Sequence, residues 1–385
     1  MVRGGDGGAA ALLNCNTLPE TSPLRREAAV RSPPARSSLL ARPAVTATDR
    51  PKRVAAIVLN YNGKVLTLQA LESLRRLRYP SCDLVVVDNG STDGSPEAVA
   101  AAFPEVHQVR TATNLGPAGG YNLGMVWAME RGYDYLLILN NDIEAHPDLL
   151  DELVRAAESD PAIGCVGPKT YYFSDRRRLA SAGGIVRFQE SVTRERGQGA
   201  IDRGQYDRDQ EVAYVNGCGM LIRREAIAAA GLWDPIFFLS VEDADWCLRA
   251  KRAGFRCRYA HRAILYHMVS DTTGVYPPAK TFQTGRSSAI FVRRYARPWQ
   301  WLTFLTVMTA ALPVAWLREL RRGNQAAAVA KARGVVAGLR ATLTPPPTLD
   351  DARRGALGPA VTAALADARR APAPEAPVGS AAGPR

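Results

Sequence analysis

Short apolar runs that end abruptly in polar residues are the feature that most constrains the fold of this chain. The runs cover residues 54–59, 84–87 and 135–139, and they are followed by Asn60-Tyr61-Asn62-Gly63, Asp88-Asn89-Gly90-Ser91 and Asn140-Asn141-Asp142. Continuous apolar runs of this length are typical of strands that are buried on both faces of a sheet. Each polar group is therefore predicted to lie just beyond the end of a buried strand.

Helical patterns fill the intervals between these strands. The predicted helices cover residues 66–77, 96–102, 122–130 and 147–159, and two further strands are predicted at 106–109 and 163–166. This alternation predicts an α/β fold with a mostly parallel sheet that is flanked by helices. Ligands bind beyond the carboxyl ends of the strands in such sheets, so Asn60, Asp88 and Asp142 are expected to converge on one crevice.

Composition divides the remainder of the 385 residues. Residues 1–52 and 344–385 lack an apolar period and are predicted to be a disordered leader and a disordered tail. Residues 53–290 are predicted to form the folded domain. Within that domain, residues 179–214 are polar and rich in Arg and Gly, which predicts a variable excursion from the sheet. Helices are predicted again at residues 224–230 and 242–253.

Charge and cysteine spacing restrict the partners and the compartment. The formal charge of +12 favours phosphates and anionic lipid. No nucleic-acid-binding module accompanies the basic residues, so nucleic acid is not expected as a partner. The six cysteines form no CxxC pair, which argues against a disulfide scaffold or a structural zinc site and fits a reducing cytoplasm. No signal peptide is recognisable, so the folded domain is expected to stay in the cytoplasm.

Residues 299–317 carry no charge and have arginines on both sides. Threonines and Pro313 dilute this segment, which leaves three interpretations: a helix in the membrane interface, a single span, or buried core. Trp299, Trp301 and Trp316 favour the interface. Together with the Ala- and Val-rich segment 326–339, residues 291–343 are predicted to be C-terminal membrane-associated helices.

Asp88 begins the first candidate binding motif. Asp, Asn, Gly and Ser all favour turns, so a structural turn is one interpretation of Asp88-Asn89-Gly90-Ser91. In the other interpretation, the Asp88 carboxylate accepts a hydrogen bond from the imide N–H of a nucleotide base. The position of Asp88 at the end of a buried strand favours binding.

Asp142 and His267 form a candidate metal site. A carboxylate beyond a strand end can hold a divalent cation that neutralises a diphosphate, although an Asx turn before the next helix is an equal alternative for Asp142. A neutral imidazole at His267 would complete such a site, although a lone histidine is more often an ordinary core or surface residue.

Glu242-Asp243-Ala244-Asp245 opens an amphipathic helix. Acidic residues in a first turn commonly interact with the helix dipole, and Ser240 is a candidate cap, so a structural role is the simpler interpretation. In the functional interpretation, one of these carboxylates is a general base that deprotonates a hydroxyl group.

An ordered series of weak motifs runs from about residue 53 to residue 270. It comprises Asn60-Tyr61-Asn62-Gly63, Asp88-Asn89-Gly90-Ser91-Thr92-Asp93, Asn114-Leu115-Gly116, Gly119-Gly120-Tyr121-Asn122, Asn140-Asn141-Asp142, Gly217-Cys218-Gly219, Glu242-Asp243-Ala244-Asp245-Trp246 and Tyr266-His267. The series resembles the family 2 glycosyltransferases, particularly the bacterial rhamnosyltransferase-like branch. Asn140 stands where a full DxD motif has a second carboxylate.

The resemblance implies a GT-A fold, a nucleotide-sugar donor, Mg²⁺ or Mn²⁺, and inversion at the anomeric carbon. It assigns catalysis to Asp243 with Glu242, and metal binding to Asp142 and His267. The residues that it assigns to nucleotide-sugar binding are Asn60, Tyr61, Asp88, Asn114, Gly119, Gly120 and Asn141. Tyr121 receives no role.

The rhamnosyltransferase-like branch favours dTDP-rhamnose as the donor and a glycan or polyprenyl-linked acceptor in cell-envelope synthesis. The excursion at residues 179–214 is then expected to contact the acceptor. The enzyme is expected to work at the inner face of the cell membrane, either peripherally on an anionic surface or through a single span. Two alternatives are a sugar-nucleotide pyrophosphorylase, for which the Gly-rich phosphate loop is missing, and a non-catalytic membrane-associated scaffold.

Overall fold

The computed structural model describes residues 50–188, 192–268, 277–321 and 323–370. Most of the predicted leader, at residues 1–49, and the end of the predicted tail, at residues 371–385, lie outside these ranges. The strands of the described part are β1 (Val54–Asn60), β2 (Cys82–Asp88), β3 (His107–Arg110), β4 (Tyr135–Asn140), β5 (Ile143–Ala145), β6 (Ile163–Tyr172), β7 (Leu179–Ser181), β8 (Gly184–Val186), β9 (Thr193–Glu195), β10 (Gln210–Glu211), β11 (Gly219–Arg223) and β12 (Arg256–His267).

Helices surround these strands. They are α1 (Lys64–Leu74), α2 (Ser95–Ala102), α3 (Gly116–Glu130), α4 (Leu149–Glu158), α5 (Arg224–Ala230), α6 (Glu242–Arg252), α7 (Pro278–Tyr295), α8 (Pro298–Arg321), α9 (Gln325–Arg340), α10 (Leu349–Arg353) and α11 (Pro359–Arg370). The predicted alternation of strands and helices is confirmed. The third helix begins at Gly116, six residues before its predicted start, because Pro117 is well placed in a first turn, where its missing N–H costs nothing.

One large sheet has the strand order β10-β12-β6-β11-β4-β1-β2-β3, with β5 and β7 paired to β12 and β6. Strands β1 to β4 pair in parallel, as do β6 and β12, whereas β11 runs antiparallel to both β4 and β6. The prediction of a mostly parallel sheet is therefore confirmed. Asn60 lies beside Asp88 in the register of β1 and β2, so both side chains reach the same edge of the sheet.

Both faces of the central strands are covered. Ala55 and Ile57 of β1 pack into the apolar cluster that contains α3, whereas Val54, Ala56 and Val58 pack into the cluster that contains α1 and α4. Successive side chains of a strand point to opposite faces, so a strand between two layers of helices must be apolar at every position. This requirement explains the continuous apolar run that the sequence shows here.

The prediction of a disordered tail from residue 344 is wrong for the part that the structure describes. Helices α10 and α11 lie there, and α11 packs against α3 and β3. Arg131, the residue that follows α3, donates a hydrogen bond of 3.1 Å to the Ala368 carbonyl. The buried positions of α11 are Val361, Ala364, Leu365 and Ala368, which form one stripe at helical spacing. Small apolar residues at this spacing suffice for docking, although the overall composition resembles a low-complexity tail.

Helix α8 contains residues 299–317, for which the sequence allows a single membrane span. None of the helices in the described part of the chain is long and apolar enough to cross a bilayer, so the single-span prediction is not supported. Phe304 and Met308 of α8 are buried, whereas Trp299, Leu302 and Val314 are more than 60% exposed. The helix therefore contacts the rest of the fold along one side and presents large apolar side chains on the others.

Candidate active site

A cavity of about 560 Å³ opens where β1 and β4 end. Its walls come from the ends of β1, β4 and β12, from the first turn of α6, and from the excursion between β6 and β11. Five of the predicted site residues line this cavity, namely Tyr61, Asn141, Glu242, Asp243 and His267, and Asn140 lines it as well. Residues from distant parts of the chain thus meet at the carboxyl edge of the sheet. Asn60, Asp88 and Asp142, which were expected to converge on this crevice, are not among the residues that line it.

Asn60 is the centre of a buried network behind this wall. Its Nδ2 donates to Asp88 Oδ1 at 2.8 Å and to the Ser91 hydroxyl at 3.0 Å. Its Oδ1 accepts hydrogen bonds from the Thr67 hydroxyl at 2.8 Å and from Asn141 Nδ2 at 3.2 Å. Asn60 and Asp88 are 1% and 3% exposed. These two side chains therefore fix the strand ends. Asn141, which is bonded to Asn60, is held in a defined position where it lines the cavity.

Asp88 and Asn114 hold the loops at the ends of two strands. Asp88 Oδ2 accepts the Ser91 backbone N–H at 3.1 Å, so the turn that its sequence favours is present. Asn114 Oδ1 accepts from Asn89 Nδ2 at 3.0 Å and from the Gly116 backbone N–H at 2.8 Å. Neither Asp88 nor Asn114 is among the residues that line the cavity.

Gly119 and Gly120 lie inside α3, where both are buried, and neither lines the cavity. A Cβ atom on Gly120 would lie 2.5 Å from Leu59 Cδ1, and one on Gly119 would lie 2.7 Å from Leu115 Cβ. Contacts this short are sterically forbidden, so the lack of a side chain at Gly120 lets α3 approach β1 closely, and Gly119 leaves room for Leu115 at the start of α3. Both glycines therefore have a packing role, and their predicted contact with the donor stays a prediction.

Asp142 and His267 come together although 125 residues separate them. His267 Nε2 lies 3.0 Å from Asp142 Oδ1, and the two side chains are 17% and 20% exposed. Strand β5 pairs with the end of β12 and brings the two residues side by side. A carboxylate oxygen and a ring nitrogen at an accessible edge form a donor set that suits Mn²⁺, whereas Mg²⁺ prefers oxygen ligands.

Tyr121 supports the same edge, a role that its sequence did not reveal. Its hydroxyl lies 2.9 Å from Asn140 Oδ1 and 3.0 Å from the Leu139 carbonyl oxygen. Asn140 Nδ2 in turn lies 3.4 Å from His267 Nε2. Tyr121 therefore orients Asn140 from the buried side, and its partners could not have been inferred from local sequence because α3 and β4 meet only in the fold.

Glu242 and Asp243 stand in the first turn of α6 and line the cavity. Asp243 Oδ2 accepts the Gly217 backbone N–H at 2.9 Å, and Oδ1 accepts the Ala244 N–H at 2.7 Å. Burial raises the pKa of Asp243, which the Gly217 N–H opposes by stabilising the charged form. Burial and the neighbouring Asp243 raise the pKa of Glu242, whose Oε2 is buried without a hydrogen-bond partner among the described residues. Proton affinities raised in this way are characteristic of general bases and acids.

The loop before α6 has strained backbone geometry. Ser240 and Val241 have φ angles of 74° and 62°, in the left-handed region that residues with side chains rarely adopt. Such residues cost of order 1–3 kcal/mol each and persist only when the surrounding structure holds them. Helix α7 helps to do so, because its Ser287 hydroxyl donates to the Leu239 carbonyl at 2.8 Å. The strain directs the first turn of α6 into the cavity.

Asp245, the last acidic residue of the same motif, is fully buried and has a structural role. It accepts hydrogen bonds from Arg249 Nε at 2.8 Å, Arg294 Nη1 at 2.8 Å and the Tyr295 hydroxyl at 2.7 Å. Arg294 and Tyr295 belong to α7, so this ion-pair network joins α6 to α7. Of the three carboxylates in this motif, those of Glu242 and Asp243 line the cavity, and that of Asp245 holds α6 against α7.

The excursion between β6 and β11 supplies the remaining wall, and the sequence gave no residue of it a role. Thr193, Glu195, Tyr214, Asn216 and Gly217 line the cavity. Tyr214 and Asn216 both donate to Glu195, which lies in a different strand, so no local motif marks these three side chains. The predicted location of the excursion beside the site is consistent with this placement.

The fold is that of a glycosyltransferase of the GT-A type. Residues 55–230 match the model of Glycosyl transferase family 2, so this region is a family 2 glycosyltransferase domain. GalNAc-T7, solved with UDP, GalNAc and Mn²⁺, shares the fold with a TM-score of 0.52 at 14% identity, over 66% of this chain and 49% of that one.

Two curated relatives are rhamnosyltransferases. The chain is 26% identical over 226 residues to the N-acetylglucosaminyl-diphospho-decaprenol L-rhamnosyltransferase of Mycobacterium tuberculosis, which covers 54% of this chain and 74% of the relative. It is 22% identical over 247 residues to the dTDP-rhamnosyl transferase RfbF of Shigella flexneri, which covers 62% of this chain and 79% of the relative. The resemblance to the rhamnosyltransferase-like branch is confirmed, and the pyrophosphorylase and scaffold alternatives have no support.

Proposed function

We propose that this glycosyltransferase moves a sugar, with rhamnose from dTDP-rhamnose as the best candidate, to a polyprenyl-linked glycan, and that Asp243 is its general base. The observation that carries the proposal is that Asp243, Asn141 and His267, which are far apart in the sequence, line one cavity. A cavity of about 560 Å³ is within the size range of small-molecule sites. The names of the two rhamnosyltransferase relatives support the choice of sugar and acceptor.

Asp142 and His267 would hold the divalent cation, with Mn²⁺ favoured over Mg²⁺ because one ligand is a nitrogen. The cation would neutralise the diphosphate of the donor as negative charge develops on it. Asn140 does not add a second carboxylate, and its side chain is held by Tyr121 at 2.9 Å. Two protein ligands leave the other coordination positions for phosphate oxygens and water.

Tyr61 and Asn141 are the proposed donor contacts on the nucleotide side. Tyr61 is 50% exposed and lines the cavity, so its ring is available for stacking against a base. Asn141 presents an amide whose position is fixed by Asn60 and Thr67, at 3.2 Å and 3.1 Å. Asp88 and Asn114 then act by holding the loops that bear these contacts.

The proposed step is a single displacement. An acceptor hydroxyl attacks the anomeric carbon from the face opposite the diphosphate, so the configuration inverts. The new carbon–oxygen bond forms as the bond to the diphosphate oxygen breaks, and the hydroxyl proton passes to Asp243. The raised pKa of Asp243 suits it to accept this proton, because a base of higher proton affinity takes it more readily.

A peripheral position on an anionic membrane at the inner face of the cell would bring the enzyme to a polyprenyl-linked acceptor. Support comes from α8, whose charge-free stretch exposes Trp299, Leu302 and Val314. Arg297, Arg318 and Arg321 lie at its two ends and are exposed. Apolar side chains flanked by basic ones are the combination that binds anionic interfaces.

A screen of nucleotide sugars tests the proposal. The purified protein is incubated with dTDP-rhamnose, UDP-GlcNAc and GDP-mannose, with Mn²⁺, Mg²⁺ or EDTA, and with a short-chain polyprenyl-diphosphate N-acetylglucosamine as the acceptor. The expected result is metal-dependent transfer from one donor, and a loss of about 10²–10⁴-fold in Asp243→Asn with donor binding retained. Full activity of Asp243→Asn would disprove the assignment of the base, and transfer of a different sugar would disprove rhamnose.

A further inference from the structure

A second carboxylate from the excursion, that of Glu195, lines the same cavity as Asp243. Glu195 is the last residue of β9, one of the two strands of the small β8–β9 sheet, and it is only partly exposed. The sequence gave it no role, and it belongs to neither the Asp142–His267 pair nor the first turn of α6. It is therefore a charged group of the cavity that the proposed reaction does not yet use.

The Glu195 carboxylate is held in place by three neutral donors. Its Oε1 accepts from the Tyr214 hydroxyl at 2.6 Å and from Asn216 Nδ2 at 3.0 Å, and its Oε2 accepts from the Ser181 hydroxyl. An ionised carboxylate has about four acceptor positions, so three such bonds leave it with capacity for one more. Because the group lines the cavity, that remaining position is available to a ligand.

Asn216 and Gly217 couple this carboxylate to the proposed base. Asn216 donates its side-chain amide to Glu195, and the backbone N–H of the next residue, Gly217, donates to Asp243 at 2.9 Å. One peptide unit therefore sets the relative position of the two carboxylates. In agreement with their proximity, the charge of Glu195 contributes to raising the pKa of Asp243, after the larger effect of burial.

We propose that Glu195 accepts a hydrogen bond from a second hydroxyl of the acceptor sugar and so positions the attacking hydroxyl beside Asp243. The inference rests on the proposed function and names the acceptor-recognition residue of that site. A carboxylate can only accept hydrogen bonds, so it selects a hydroxyl and rejects an ether or a hydrogen at that place. The acceptor is therefore a polyol that offers two neighbouring hydroxyl groups, one for each carboxylate.

The variant Glu195→Gln removes the charge with little change of shape. Its amide oxygen can still accept from Tyr214 and Asn216, and its NH₂ group can donate to the Ser181 oxygen, so the local packing is preserved. The matched control is Glu211→Gln, which changes a 55% exposed glutamate of the same excursion that does not line the cavity. Equal thermal unfolding temperatures for the three proteins establish that both variants fold.

Steady-state kinetics with dTDP-rhamnose, Mn²⁺ and the short-chain polyprenyl-diphosphate N-acetylglucosamine then test the role. A hydrogen bond to a charged group is worth enough to predict a rise of about 10- to 100-fold in the acceptor KM of Glu195→Gln. The donor KM of Glu195→Gln should stay within about twofold of the wild-type value, and Glu211→Gln should leave both KM values and the hydrolysis of donor without acceptor within about twofold of wild type. A merely structural residue would change all of these quantities together.

Deoxy analogues of the acceptor identify the hydroxyl. Wild-type enzyme should have a kcat/KM about 10- to 100-fold lower for the analogue that lacks the bound hydroxyl than for the complete acceptor. Glu195→Gln should have the same kcat/KM for both, because its contact with that hydroxyl is already lost. An unchanged acceptor KM in Glu195→Gln, or additive losses with every analogue, would overturn the inference alone. A wild-type protein that transfers no sugar from any donor would instead overturn the proposed function, and the inference with it.

Discussion

The backbone N–H of Gly217 donates a hydrogen bond of 2.9 Å to Oδ2 of Asp243. This bond favours the charged carboxylate, whereas the burial of Asp243 favours the neutral acid, and burial is the larger effect. The pKa of Asp243 is therefore raised above its ordinary value of 3.8. The Gly217 N–H fixes the direction of the Asp243 carboxylate, and burial of Asp243 keeps the proton affinity of that carboxylate high.

The raised pKa of Asp243 predicts how transfer depends on pH. A general base must be ionised, so kcat should fall as the pH is lowered through the raised pKa, at a pH above 3.8. Removal of the Glu195 charge should lower that pKa, so Glu195→Gln should keep its activity to a lower pH than wild type. The measurement is kcat against pH with saturating donor and acceptor. An acid limb that does not move in Glu195→Gln would contradict the prediction.

The same shift predicts a gain in stability for Asp243→Asn at neutral pH. The folded state holds the Asp243 proton more tightly than the unfolded chain does, so ionisation opposes folding as the pH rises from 3.8 through the raised pKa. Asn carries no charge and avoids this cost. Asp243→Asn should therefore unfold at a higher temperature than wild type at pH 7.5, and the difference should shrink towards pH 4. Thermal unfolding at several pH values measures it, and a less stable variant at pH 7.5 would be the contrary result.

Asp142 and His267 should differ in their effects on metal use. Loss of the carboxylate in Asp142→Ala removes the charged ligand and should reduce transfer by at least about 100-fold at any Mn²⁺ concentration. His267→Gln keeps Asp142 and should mainly raise the Mn²⁺ concentration needed for half-maximal activity, by about 10- to 100-fold. Titration of activity with Mn²⁺ separates the two. Equal activation constants for His267→Gln and wild type would exclude His267 as a ligand.

The arrangement of the strand-end residues was predictable because its signals are local. Each buried strand shows its own apolar run, and parallel strands end at the same edge, so Asn60 and Asp88 had to lie close together. Their burial was less predictable. The sequence could not show that Asn60 would donate or accept four side-chain hydrogen bonds with Asp88, Ser91, Thr67 and Asn141. These bonds give Asn60 and Asp88 a structural role in addition to the ligand contacts predicted for them.

The residues that the sequence missed depend on partners far along the chain. Tyr121 of α3 acts on Asn140 of β4, and Glu195 of β9 is held by Tyr214 and Asn216. No spacing rule links such pairs, since only the packed sheet brings them together. The docking of α11 was missed for a related reason, because its small apolar stripe becomes a binding face only against α3.

Removal of the buried Asp245 carboxylate should destabilise the fold much more than removal of an exposed ion pair with the same distance between its charged groups. Asp245 is fully buried and pairs with Arg249 and Arg294. Arg294 also lies 2.8 Å from Asp234, so Asp245→Ala mainly leaves Arg249 without its carboxylate partner. The variant should cost about 3–5 kcal/mol in the free energy of unfolding. The control is Asp350→Ala, which removes a 2.8 Å pair with Arg353 whose side chains are 66% and 68% exposed. The control should cost about 0–1 kcal/mol. Chemical denaturation of both variants checks the contrast, and similar losses would contradict it.

Helix α8 predicts binding to anionic vesicles. Leu302 and Val314 are both 69% exposed, and burial of one such side chain contributes about 1.5–3 kcal/mol. The double variant Leu302→Glu/Val314→Glu should therefore reduce binding to phosphatidylglycerol vesicles by at least about 10-fold, because it removes apolar contact and adds negative charge beside Arg297 and Arg318. Ala102→Glu, which adds a charge at the exposed end of α2, should bind as wild type does. Sedimentation with phosphatidylglycerol and with neutral phosphatidylcholine vesicles measures binding, and transfer to a water-soluble acceptor should remain unchanged in both variants. Equal binding of wild type and the double variant would show that α8 does not contact the membrane.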